Sequence, residues 1–464
     1  MNGRDITALG YREGKIVGLA LRISKRLVKH GGRSVALEKL GAVLQSPDAF
    51  ASDPLLGELA VALIEERDRP FWVERESAAD FQVWGQELEP AAVDQLKQSV
   101  RLPVAVRAAL MPDAHLGYGL PIGGVLAVKN AVIPYAVGVD IACRMKLSVF
   151  DIAGAELEKW RHHLVNALHR ETIFGAGATF KRKNEHAVMD EDWAVTSITQ
   201  KLKDTKAWPQ LGTSGSGNHF VEFGILELSK PDLGMQPGSY IALLSHSGSR
   251  GTGAMVANHY SNLAMSLHPY LPPELKRLAW LDLDSEPGKE YFAAMNLMGS
   301  YAAANHAVIH RRIAKAIGAH VLAGVENHHN FAWKESHDGQ EVIVHRKGAT
   351  PAASGVLGVI PGSMASPGFV VRGKGASASL NSASHGAGRR MSRTAAKQQY
   401  RWAQVKPVLE ERGVQLLSAG IDENPFAYKD IHEVMAHQTE LVEVIARFDP
   451  RIVRMADGGE KPED

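Results

Sequence analysis

Residues 123–139 read GGVLAVKNAVIPYAVGV, and the way this stretch is broken decides the fold class. Gly123–Val128 is a short apolar run closed by Lys129 and Asn130, the pattern of a buried strand. Pro134 breaks the second half, so the stretch falls short of the roughly 18 uninterrupted apolar residues that a membrane helix needs. Tyr240–Leu244 (YIALL) reads the same way, and Ile343–Leu380 alternates strand-like runs with Gly-rich loops. Between them, Glu290–Ile317 has the period and Ala-rich composition of a long helix, with Gly318 placed to end it. Upstream, Ile16–Val28 and Leu55–Ile64 are helical in period, and a boundary is expected near Asp68–Phe71. A helical pattern around Ile431–Ile445 precedes a polar tail. Strands and helices mix without regular βαβ alternation, so the expected class is α+β and not a doubly wound sheet.

The chain has 464 residues, 45% hydrophobic and 22% charged, with a mean hydropathy of -0.15. That composition is globular and excludes disordered, collagen-like and disulfide-scaffold classes. A single cysteine, Cys143, allows no internal disulfide, and the N-terminus carries charges of both signs without an apolar signal core. A cytoplasmic protein with no membrane partner is expected. The net charge of +1 hides an uneven distribution. From Val342 to Leu409 there are ten basic residues and no Asp or Glu, leaving 42 basic and 51 acidic residues elsewhere. A localised cationic tract of this kind suits phosphate binding.

Histidines beside Gly, Asn or Ser in loops are the candidates for chemistry, because strand-end loops are where sites are built. Asp113 and His115 lie in MPDAHLG, Asp140 and Cys143 in VGVDIAC, Asn218 and His219 in GSGNHF, His246 in SHSGSRG, His329 in HHNF and His385 in SHGAGR. None has zinc-finger spacing, so any metal site must be assembled by the fold. A thiolate with a carboxylate and imidazoles can hold a dinuclear centre; Cys143 alone reads equally as a small buried residue. His306 and His310 copy the i, i+4 spacing of a helical zinc pair but lack the intervening Glu, and read better as an amphipathic surface pair. The LGTSGSGN loop, Leu211–Asn218, has glycines able to turn backbone N–H groups toward a phosphate, yet matches no nucleotide-binding fingerprint.

Taken in order, MPDAHLG, PYAVGVDIAC, LGTSGSGNHF, SHSGSRG, HRKGAT, PGSM, VRGKG and SASHGAGR resemble the RtcB-type RNA ligases from about Phe81 to Val453. The resemblance implies a helical extension over 1–76, one large catalytic domain over 77–456 with mixed sheets around a central metal site, and a mobile tail over 457–464. It implies a GTP- and manganese-dependent ligase that joins RNA bearing a 2′,3′-cyclic phosphate or 3′-phosphate to RNA bearing a 5′-hydroxyl, in RNA repair or tRNA splicing, with an activating protein as a possible partner. Carried onto this chain, one Mn2+ falls to Cys143, His246 and His329 and a second to Asp140, Cys143 and His219. His385 becomes the nucleophile that forms guanylyl-histidine, and Asp113 orients its ring. Asn218, Glu222, Ser249, Gly386, Gly388 and Tyr428 fall around the nucleotide, and Arg250, Arg389 and Arg393 around RNA phosphates.

Three positions depart from the family pattern. Met455, in PRIVRMAD, stands at or next to the place of a Lys that reaches the guanine; Ala142 replaces the usual Gly in Asp-Ile-Gly-Cys, which is expected to be tolerated if its φ is negative; and Asn305-His306 stands where Arg is frequent. Met455 keeps open a phosphodiesterase that opens cyclic phosphates without joining ends, and the basic tract keeps open a non-catalytic RNA-binding subunit. The extension reads either as a helical cap on the ligase body or as a docking surface for a partner or structured RNA.

Overall fold

The computed structural model describes residues 1–11, 15–67 and 74–458. It divides into two compact units, Met1–Trp72 and Val73–Asp464. The expected boundary at Asp68–Phe71 and most of the expected tail, residues 459–464, lie outside the described residues.

The first unit is helical, as its periodicity predicts. Gly3–Ala8 starts from a capping box of Asn2 and Asp5. Lys15–Gln45 comes next, broken where Gly32 takes φ 79° and ψ 177°, and Gly57–Arg67 closes the unit. Ile6, Ile23, Leu27, Leu40, Leu59 and Leu63 build a core made only of residues from this unit, and the buried Tyr11 hydroxyl donates to the Leu40 carbonyl at 2.8 Å.

The second unit carries the α+β architecture. A five-stranded sheet has the order Asp80–Val83, Ala105–His115, Ile122–Val128, Gln340–Lys347, Asn330–His337. An eight-stranded sheet runs Leu357–Ile360, Gly368–Gly373, Val442–Met455, Phe220–Leu228, Gly238–Ser247, Arg144–Ala153, Val321–His328, with Gln415–Ser418 paired to Val442–Met455. Alternation explains why its strands read as unbroken apolar runs. Ile241 and Leu243 face a layer containing the helices Leu157–Glu171 and Glu286–Ile317, while Ala242 and Leu244 face Met145, Val359 and Phe448 on the other side. The long helix starts at Ser285, whose side chain accepts from Gly288 N, and ends at Gly318, φ 67°, where the sequence placed its stop.

The expectation around Ile431–Ile445 is corrected. Only Ile431–Ala436 is helical; Val442–Met455 is a strand inside the larger sheet, between Gly368–Gly373 and Phe220–Leu228. Bulges at Val370/Val371 and Pro450/Ile452 shift its phase, so the apolar positions never show a clean period of two. Among the described residues no helix is long and apolar enough to cross a membrane.

Phe448, fully buried in this sheet's core, abuts Gly224, where an added Cβ would collide with its ring. Truncation to Phe448→Ala should therefore cost about 3–5 kcal/mol, read as a lowered denaturant midpoint with an unchanged slope.

Candidate functional site

Strand register builds the site. Phe220 and Met145 both pair with His246, and Arg144 pairs with His328. His219, Cys143 and His329 are the immediate chain neighbours of those paired residues, so three separate segments deliver them, with His246, to one end of the sheet. Cys143 Sγ lies 3.1 Å from His246 Nε2 and 3.5 Å from His219 Nε2. His246 Nε2 is 3.2 Å from His329 Nε2, and His219 Nε2 is 3.1 Å from Asp140 Oδ2. The ligand atoms of Cys143, His219 and His246 all fall within 4.8 Å of one another.

These residues fit divalent transition ions. The buried His329 Nδ1 has no hydrogen-bond partner, and Asp140 Oδ2 faces His219 Nε2 inside the cluster. Burial, then the neighbouring His219, pushes His246 down to about 3, and burial holds His329 well below the ordinary histidine value, so both rings are neutral and keep a lone pair at pH 7. His246 Nδ1 sits 3.2 Å from the Asn218 carbonyl, a contact that takes the proton on Nδ1 and turns the Nε2 lone pair toward the cluster. Burial opposes ionisation of Asp140, but His219 and Arg250 outweigh it and hold the carboxyl below its usual value. Its Oδ1 accepts from Ser249 N at 3.1 Å, and its carbonyl accepts from Asn330 Nδ2 at 3.3 Å.

Ala142 departs from expectation. Its φ is +56°, in the left-handed region, which costs a residue with a Cβ about 1–2 kcal/mol. The 2.7 Å hydrogen bond from Ala142 N to the Asn330 carbonyl pins it there. The metal-side loop thus tolerates the methyl as local strain and not through a negative φ.

Beside this cluster His385 Nδ1 donates to Asp113 Oδ2 at 2.6 Å, and the same oxygen accepts from the backbone of His385 at 3.1 Å and Gly386 at 3.3 Å. That leaves His385 Nε2 with the lone pair, on a ring whose centroid is 5.0 Å from that of His329. Asp113 is fully buried; burial works against its charge, but His385 and Lys429 overcome this and keep the carboxyl below its ordinary value. Lys429 is fixed there by donating to the Pro112 and Ala114 carbonyls at 3.1 and 2.7 Å. Gly388 has φ +72°, and a side chain at this position would strike the Asp113 carbonyl, which explains the glycine.

Both groups open into one cavity of about 640 Å3, whose walls include Asn218, Glu222, Gly386, Gly388, Tyr428 and Met455. Burial pushes Glu222 up to about 8. Glu222 pairs with Val453 and Phe220 with Met455 across adjacent strands, so Met455 is the diagonal neighbour of Glu222 on the same wall. Tyr428 donates to Glu423, and the Arg389 guanidinium lies 5.3 Å from its ring.

Other expected residues sit differently. Ser249 is fully buried and gives its hydroxyl to the Ile141 carbonyl at 2.7 Å, bracing the Asp140 loop instead of lining the cavity. Arg250 is also buried, with Nη1 3.3 Å from His219 Nδ1 and Nε 3.3 Å from Thr213 Oγ1. Arg389 and Arg393 do line the cavity, but both are ion-paired, Arg389 to Glu423 at 3.3 Å and Arg393 to Glu423 and to Asp422 at 3.4 Å. Part of the basic tract is folded inward, while Lys374, Arg390, Lys397, Arg401 and Lys406 stay exposed. Arg346 pairs with Glu335 at 2.6 Å, Arg372 with Asp232 at 2.8 Å, and the buried Lys347 donates to the Tyr118 and Tyr135 carbonyls.

His306 and His310 are corrected from surface to core. Both are buried, in a chain running from the Ser247 carbonyl through His306, Ser245 Oγ and His310 to Ser148 Oγ, with links of 2.7–3.0 Å. They brace the strand that carries His246. His115, a candidate from its place in MPDAHLG, lines the cavity with Nδ1 3.1 Å from the Asp113 carbonyl and is pushed down to about 4 by burial. Asn330, Asp422 and Glu423 were missed; only Asn330 had a signal, its place directly after His329.

The family model described as tRNA-splicing ligase RtcB matches residues 95–456. An RNA-splicing ligase RtcB1 of Escherichia coli is 34% identical over 408 residues, covering 79% of this chain and 95% of the relative. A tRNA-splicing ligase RtcB of Nanoarchaeum equitans is 31% identical over 435 residues, covering 78% and 91%, and one of Thermococcus kodakarensis is 30% identical over 445 residues, covering 77% and 91%.

Two outcomes are expected from this geometry. Loss of an outer-shell partner weakens a metal site by about 10–100-fold, so Cys143→Ala, which removes the central donor, should lower divalent-ion affinity, with Mn2+ as the probe, by about 100-fold or more in equilibrium dialysis. Glu222, raised from 4.5 to about 8, keeps in the folded state a proton that the unfolded chain releases. Its stabilising contribution is full below about pH 4.5 and is lost as pH rises through about 8. Denaturation of Glu222→Gln should accordingly show a gain over the parent at pH 9 that vanishes toward pH 4.

Proposed function

The chain belongs to the RtcB family of RNA-splicing ligases, and from that premise we propose that it joins RNA ends bearing a 2′,3′-cyclic phosphate or 3′-phosphate to 5′-hydroxyl ends, using GTP and two Mn2+ ions. The observation that carries the reading is His385, with Nδ1 held by Asp113 at 2.6 Å and its ring 5.0 Å from a ring of the metal-donor cluster, in a single cavity. In this reading Nε2 attacks the α-phosphorus of GTP, the bond to pyrophosphate breaks, and guanylyl-histidine forms. The guanylyl group then passes to the RNA 3′-phosphate, so that the 5′-hydroxyl displaces GMP. Without this activation the leaving group would be hydroxide.

Asp113 stays ionised throughout, fixing the tautomer and stabilising the positive ring as the N–P bond forms. Cys143, His246 and His329 would hold one ion, and Asp140, Cys143 and His219 the other, with the thiolate shared. When bound, such ions neutralise phosphate charge and polarise phosphate oxygens. Arg250 orients His219, and Ser249 orients Asp140. Arg389 and Arg393 meet RNA phosphates by exchanging their pairs with Asp422 and Glu423, while Asn218, Gly386 and Gly388 surround the nucleotide phosphates. Tyr428 offers a ring to the base, and Glu222, neutral at pH 7, offers an O–H donor and a carbonyl to its edge. Catalysis belongs to residues 77–456. A single cysteine, which has no second one in the chain to form a disulfide with, suits a reducing compartment such as the cytoplasm.

Incubation with α-labelled GTP and Mn2+ should label the chain covalently, and His385→Ala should abolish the label. Asp113→Asn should slow labelling by about 100-fold or more, because the amide no longer favours the required tautomer. A His385→Ala chain that still labels would refute the nucleophile. A metal-loaded parent that opens cyclic phosphates yet never labels would favour the phosphodiesterase.

A further inference from the structure

The chain contains a second acid-free tract. Residues 14–37 hold Lys15, Arg22, Lys25, Arg26, Lys29 and Arg33 with no Asp or Glu after Glu13. They lie in the N-terminal unit, outside the segment matched by the family model. On the helix Lys15–Gln45, before its break at Gly32, Arg22, Lys25, Arg26 and Lys29 occupy the spacing i, i+3, i+4, i+7. That spacing places them within roughly 100° of arc and about 10 Å of length. Ala20, Ile23 and Leu27, on the opposite side, are used up by the unit's own core. All four cations are exposed. Arg22 has a solvent-exposed pair with Glu58, a contact of little stability. Among the described residues Lys25, Arg26 and Lys29 have no ion pair.

In the tract at Val342–Leu409, by contrast, Arg346, Arg372, Arg389 and Arg393 are matched by Glu335, Asp232, Asp422 and Glu423, while Arg390 and Arg401 are exposed. An ordered row of exposed cations, one of them in a solvent-exposed pair, on a face that the core does not need matches a polyanion whose charges repeat along a line. We propose that the N-terminal unit is an RNA-docking module, and that Arg22, Lys25, Arg26 and Lys29 contact successive phosphates of an RNA strand. The choice of RNA over an acidic protein rests on the ligase reading above, in which a polyphosphate strand is the substrate and binding it at a second place raises its effective concentration at the active site.

The test is anisotropy of a labelled single-stranded 30-nucleotide RNA with 3′-hydroxyl and 5′-blocked ends, titrated with the full chain across a salt series. Each phosphate contact contributes about 0.7 to the slope of log affinity against log salt on a single strand. The variant Lys25→Gln/Arg26→Gln/Lys29→Gln should lose about two from that slope and roughly tenfold to a hundredfold in affinity near 0.1 M salt, with the parent's circular dichroism. Lys25→Arg/Lys29→Arg, which keeps the charges, should bind as the parent does. Unchanged affinity and slope in the glutamine variant would overturn the proposal and turn the face toward an acidic protein surface. Since this RNA has no joinable end, the readout is independent of ligation. A parent with the stripe-dependent slope that never labels with GTP supports docking and sinks the ligase reading alone.

Discussion

The site depends on the antiparallel register of three strands: Phe220–Leu228, Gly238–Ser247 and Arg144–Ala153. With Phe220 and Met145 both opposite His246, the residues one step before each strand, His219 and Cys143, are forced to the same end of the sheet. A shift by one residue would turn His246 to the opposite face and bury it among Ile241 and Leu243. The two-sided core prevents that slip, because each face carries its own set of large side chains. Precision at the cluster is thus inherited from packing far from it, and the buried His306–Ser245–His310 chain adds polar links that fit only one register.

Desolvation does the next part. Burial in a dry cavity makes the charged forms of His246 and His329 unfavourable, so these rings present lone pairs where free histidines would be partly protonated. The same dryness would raise carboxylates, and it does so at Glu222, which has no facing cation. Asp140 and Asp113 escape it because each has basic neighbours, His219 and Arg250 for one, His385 and Lys429 for the other. Three buried carboxyl groups in one neighbourhood therefore divide into two anionic positioning groups and one neutral donor, and the division arises from which cations the fold sends to each.

Much of this was legible in the sequence, and the remainder was hidden for physical reasons. The long helix to Gly318 and the runs at Gly123–Val128 and Tyr240–Leu244 read correctly, because helix period and buried-strand composition are local properties. The ordered Gly/His/Cys motifs named the residues that now converge, since close backbone approach and metal ligation restrict residue choice sharply. The strand Val442–Met455 was missed because its bulges, set by its partners, erase its own period. His306 and His310 were misplaced because a histidine's spacing cannot report that serines on other strands, Ser245 and Ser148, will satisfy its ring nitrogens. The condition set for Ala142, a negative φ, fails because its conformation is set by a bond to the carbonyl of Asn330, far along the chain.

The two acid-free tracts show the same limit applied to charge. Linear charge density counts cations but not the carboxylates that folding delivers to them, and a surface potential depends on both. In the tract at Val342–Leu409 the chain wraps back so that Asp422 and Glu423 sit against Arg389 and Arg393, and desolvation there would be prohibitive without them. Such paired arginines act by exchange: an incoming phosphate must compete with a carboxylate already in place, which favours ligands that bring more than one negative oxygen. Arg22, Lys25, Arg26 and Lys29 carry no such cost, because they stand on the exposed side of their helix. Arg22 and Arg33 make only solvent-exposed pairs, with Glu58 and Asp5, and Lys374, Arg390, Arg401 and Lys406 in the longer tract are likewise exposed, so a run without Asp or Glu does not by itself decide which of its cations the fold will pair.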